Sequence, residues 1–145
     1  IGENMSDLIL EAGGTLAFAF HVLFMLFNVF IIVQFYFSKS FYNNFSTEEP
    51  KIVFRGPFGA VFISILIMSI LLTFDVTGNT YDENVVQYKF WYSFLFMLMA
   101  IALISALLRY FNAVNNYGVT PNIRVIMFPL IGLVIILLRT FTEGY

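Results

Sequence analysis

The chain has 145 residues, of which 60% are hydrophobic and only 11% charged, with a net charge of −2. A soluble domain of ordinary make-up carries about 25% charged residues, and so short a chain has more surface than these few polar groups can cover in water, so lipid is the solvent expected. The seven Lys and Arg are scattered singly, which excludes a nucleic-acid-binding stripe, and the lack of Cys excludes disulfides, thiolate chemistry and Cys-ligated metal centres.

The chain opens on Ile1 and shows neither a basic n-region nor an Ala-x-Ala pattern, so no secretory signal is expected within it. The first apolar run, Thr15 to Phe37, has no charge. It exceeds the roughly 20 residues that cross about 30 Å of hydrocarbon at 1.5 Å per residue. Gly14, His21 and Asn28 recur every seven positions and fall within about 40° of one line on a helix, with Ala17 beside them. This is the face expected to turn into a bundle.

His21, the single histidine, is read as hydrogen-bonding to another helix or subunit. Ligation of haem or chlorophyll, or a proton relay, is the lesser alternative; one histidine cannot make a bis-His site. Asn28 and Gln34 belong to the same polar set. Side-chain amides in membrane helices commonly bond between helices, for roughly 1 kcal/mol. The first three runs hold no deep acidic or basic residue, which argues against ion-coupled transport by this chain alone.

The second run, Gly56 to Phe74, starts Gly-Pro and places Gly56, Ala60 and Ser64 at four-residue spacing. Small residues so spaced let helices approach closely, within the chain or against a partner. The third, Phe90 to Leu108, lies between Lys89 and Arg109 and carries Ala102 and Ala106 in the same arrangement. The fourth is short: only Val125 to Leu138 is free of charge, about 21 Å of helix. Arg124 and Arg139 are expected to snorkel and stretch it to residues 122–139. Pro129 is expected to kink it, with Gly132 easing close packing. A re-entrant fourth segment is the alternative.

Turn chemistry marks loops at Ser38 to Arg55, through DVTGNTYDEN, and at Tyr110 to Asn122. The first and third hold Lys39, Lys51, Arg55, Arg109 and Arg124; only Lys89 and Arg139 lie on the other side. The positive-inside rule then puts both termini on the outer side. Phe35 to Phe37, Phe90 to Tyr92 and Tyr110-Phe111 read as interfacial aromatic anchors. The acidic residues Asp75, Asp82 and Glu83 match no calcium-loop spacing.

The expected fold is therefore all-α: one polytopic unit over 1–145, with helices at about 15–37, 56–74, 90–108 and 122–139. No catalytic motif and no metal site is visible, and an enzyme is not expected. The leading expectation is an accessory or structural subunit of a larger membrane complex, respiratory or otherwise energy-transducing, with lipid and other transmembrane subunits as partners. Rivals are a homo-oligomeric channel or transporter, an electron-transfer subunit using His21, and a viral or filament structural protein. Abundant Phe, Ile and Asn hint at an AT-rich genome, which makes a mitochondrial inner membrane one candidate location beside a cell membrane.

Overall fold

The computed structural model describes residues 5–38, 55–74, 80–116, 118 and 123–145. Lys39 and Lys51 of the first loop, Asp75 of the second and Asn122 of the third lie outside them. The described residues form five helices and no strand: α1 (Met5–Glu11), α2 (Thr15–Phe37), α3 (Arg55–Thr73), α4 (Tyr81–Tyr110) and α5 (Arg124–Thr142). The last four are each long and apolar enough to cross a membrane. Only 22–28% of each span is buried inside the protein, so most of each helix surface faces outward. That outer surface is studded with large side chains, Phe30, Phe90, Met97, Ile101 and Phe141 among them. Water does not solvate such a surface; a bilayer does. The protein is an integral membrane protein, helical throughout its described membrane-crossing segments.

Two boundaries differ from those the sequence suggests. α4 begins at Tyr81, not Phe90, and its 30 residues make a helix of about 45 Å. Its start is fixed by a capping box: Thr80 Oγ1 accepts from the Glu83 N–H, and the Glu83 carboxylate accepts from the Thr80 N–H. Asp82 and Glu83 then sit in the first turn, where the free N–H groups favour negative charge. Asp82 and Glu83 are thus helix rather than loop. α5 reaches Thr142, and Arg139 does not snorkel but points inward, 1% exposed.

The N-terminal α1 is short and set off from α2 by Gly13 and Gly14, whose φ values of 108° and 105° suit glycine alone. Gly13 has a second reason to lack a side chain: a Cβ there would lie 2.9 Å from the Cβ of Glu143. The C-terminal residues pack directly on this elbow, and the Gly144 N–H donates to the Gly13 carbonyl at 2.7 Å.

α5 packs on both α4 and α2, and α2 packs on α3, whereas α3 and α4 meet only over a short stretch. The core runs along one line of each helix. On α2 it is Ala17, His21, Phe24, Asn28, Ile31 and Phe35; on α4 it is Asn84, Tyr88, Tyr92, Leu95, Met99 and Ala106. Gly132 lets α5 approach: a Cβ would stand 3.0 Å from Met99 Sδ and 3.2 Å from the Phe27 ring. Gly56, Ala60, Ser64 and Ala102, by contrast, face outward and take no part in packing within the chain. Pro129 is half-buried within an unbroken α5.

Gly132→Val should therefore lower stability in mild detergent by about 1–3 kcal/mol, while Gly56→Val leaves it nearly unchanged. Thermal unfolding of the two variants checks this; equal effects would mean that Gly132 is not at a close approach.

Candidate functional site

Polar groups that lipid would penalise are gathered at the end of the bundle where α2 and α4 begin and α3 and α5 finish. His21 lies six residues into α2, about 9 Å along the helix, and is fully buried. Its Nε2 lies 2.6 Å from the Thr73 hydroxyl of α3, and its Nδ1 lies 2.5 Å from the Tyr92 hydroxyl of α4. The roles of these atoms follow from Thr73. That hydroxyl has one proton, which it donates to the Ser69 carbonyl at 2.7 Å, the backbone bond common for Thr one turn on in a helix. It must then accept from His21, so Nε2 carries the proton. Nδ1 is left as an acceptor, and the Tyr92 O–H donates to it. The imidazole is neutral and both nitrogens are used.

Ser69 continues the set, its hydroxyl accepting from Trp91 Nε1 at 3.1 Å. This bond joins α3 to α4 directly, beside the His21 bridge. The His21 ring also meets Tyr88 and Tyr92 edge-on, with centroids 5.2 and 5.7 Å apart.

Arg139 of α5 covers the other side of Tyr92. Its guanidinium carbon lies 4.1 Å from the Tyr92 ring centroid and 5.4 Å from that of Tyr88. A desolvated cation over an aromatic face is worth about 2 kcal/mol, and the positive charge favours Tyr92 as the donor towards His21. Nη1 donates to Glu143 at 3.0 Å, and Nη2 donates to the Ala12 carbonyl and to the Tyr145 hydroxyl, both at 3.0 Å. Tyr145 in turn donates to the Glu11 carbonyl at 2.9 Å, and Lys89 Nζ sits 5.0 Å over its ring. Burial pushes the Tyr145 phenol up to about 12, with Arg139 opposing the shift. One arginine thus ties the C-terminal residues, the α1–α2 elbow and the aromatic face of α4 together.

The remaining polar candidates do not join this set. Asn28 is buried but spends its Nδ2 on the Phe24 carbonyl of its own helix, at 2.8 Å. Gln34 is half-buried near the opposite end of α2, and Gly14 caps that helix at its start. Sequence reasoning missed Thr73 as a partner of His21 and Ser69 and Arg139 as neighbours in the same cluster, and it placed Tyr92 among the interfacial anchors. A signal was present: Asn84, Tyr88, Tyr92, Leu95 and Met99 already follow helical spacing once α4 is started at its capping box.

Both His21 nitrogens are engaged, so a haem iron would have to displace Thr73 or Tyr92. Among the described residues, no group of three or more His, Asp or Glu is placed to hold a metal ion. No protein-family model, curated protein or solved structure matches the chain.

Two outcomes follow. Nitrogen NMR of the labelled histidine should give a protonated Nε2 and a bare Nδ1 at neutral pH; the opposite tautomer would reverse the donor roles assigned above. The second concerns Tyr145. Its pKa is raised on folding, so its contribution is complete below about pH 10 and is lost as pH rises through about 12. Phenolate absorbance should show a tyrosine titrating near 12 that Tyr145→Phe removes. Titration of that residue near 10 would mean that the C-terminal residues do not seal the elbow.

Proposed function

We propose that this protein is a small structural subunit of a larger membrane assembly. The observation that carries the reading is the division between its faces. The polar groups around His21 bond to one another inside the bundle, while the small residues Gly56, Ala60 and Ser64 lie on the outer side of α3, a helix packed along one side mainly by α2. Small residues at this spacing suit a neighbouring transmembrane helix at close range. The polar cluster would serve rigidity, presenting that outer face in one orientation.

A respiratory or other energy-transducing complex, in a mitochondrial inner membrane or a cell membrane, is the assembly type in keeping with so apolar a chain. The positive-inside count places the His21 end on the outer side. The runner-up is a homo-oligomeric channel or transporter. Its lining would be His21, Asn28 and Gln34, and it is weakened because His21 and Asn28 are fully buried within their own bundle, with Gln34 half-buried.

Blue-native electrophoresis of gently solubilised native membranes tests the reading. The protein should migrate in a high-mass band together with other membrane proteins, and Ala60→Leu should release it without unfolding it. Migration solely as a free small species, or a large band made of this chain alone, would overturn it.

A further inference from the structure

A second set of polar atoms lies under the C-terminal residues, apart from the His21 hydrogen bonds. Glu11 is 2% exposed and Asn84 1% exposed. Glu11 Oε2, both amide atoms of Asn84 and Arg139 Nε are buried without a hydrogen-bond partner among the described residues. The three residues come from α1, α4 and α5 and share one neighbourhood. Arg139 donates to the carbonyl of Ala12, the residue after Glu11, and its guanidinium lies over Tyr88, one helical turn from Asn84 on the same face. α1 also packs against α4. Leaving such atoms dry costs about as much as a lost hydrogen bond for each, and here four of them, on three helices, fall together.

The charges select the ligand. A cation is repelled by the Arg139 guanidinium, and an anion by the Glu11 carboxylate and by Glu143 on the far side of Arg139. Asn84 needs a donor and an acceptor at once, Glu11 Oε2 a donor, and Arg139 Nε an acceptor. A neutral molecule with both functions satisfies all of them. The site is also closed, because Tyr145 bonds to the Glu11 carbonyl and Gly144 to that of Gly13. We propose that Glu11, Asn84 and Arg139 form an internal hydration site, which holds ordered water under the C-terminal residues and cements α1 to α4 and α5.

The experiment uses the full chain in lipid nanodiscs. In X-ray radiolysis, hydroxyl radicals formed from bound water oxidise the side chains next to it. Tyr88, on the site's wall, should be modified well above Phe24, which is equally buried in the apolar layer. Asn84→Leu should lower the unfolding midpoint by about 4 °C, since it removes two water bonds and strands the groups beside it. Tyr88 oxidised no faster than Phe24, after correction for intrinsic reactivity, would overturn the proposal. A midpoint unchanged or raised by Asn84→Leu would do so too, because replacing a dry orphan amide by an apolar group relieves a penalty. Should Asn84→Leu fail to fold, the radiolysis of the unaltered protein decides alone.

Discussion

The two hydrogen bonds of His21 are the constraint on which the rest of the bundle depends. α3 and α4 share little packing surface, and no difference in hydrophobicity between side chains and lipid pulls them together, because acyl chains are as apolar as Leu. A neutral imidazole with one donor and one acceptor nitrogen bridges them, one side to Thr73 and the other to Tyr92. In lipid, neither partner has water to fall back on. The single histidine thus stands in for a missing helix–helix interface, with Trp91 and Ser69 adding a second bond nearby.

Arg139 extends the same logic to the end of the bundle. A charged side chain near a helix end would ordinarily reach out to the headgroups. Here it turns in, because four kinds of partner meet it there: the Glu143 carboxylate, the Ala12 carbonyl, the Tyr145 hydroxyl and the Tyr92 ring. Its burial makes the last three residues part of the fold. The outer surface has no such demands, and large apolar side chains dominate it along the membrane-crossing helices.

The broad architecture was legible because hydropathy over about 20 residues is a long-range signal that no single residue overturns. The inner face of α2 was legible as well, since Ala17, His21 and Asn28 stand at helical spacing within a run that is otherwise uniformly apolar. What could not be read was pairing. Thr73 and Ser69 look like ordinary small residues near a helix end until His21 is brought to them across 52 positions. Tyr92 reads as an interfacial anchor when the helix is started at Phe90, whereas eleven residues of α4 precede it. Arg139 misled for the opposite reason: its local sequence predicts snorkelling, and only the C-terminal residues folding back on Gly13 supply the partners that hold it in. The outward direction of Gly56, Ala60 and Ser64 is likewise a matter of which side of α3 meets α2, which spacing alone does not specify.

The absence of Cys makes the central claim directly measurable. Cysteines introduced at the exposed positions Ala60 of α3 and Ala102 of α4 can carry spin labels without background, and electron double resonance reads the distance between them in a bilayer. The account predicts one narrow distribution in the otherwise unaltered protein, and a broader one shifted to longer distance when His21→Ala removes the bridge. A distribution that stays narrow and in place without His21 would show that α3 and α4 are held by something else, and would contradict it.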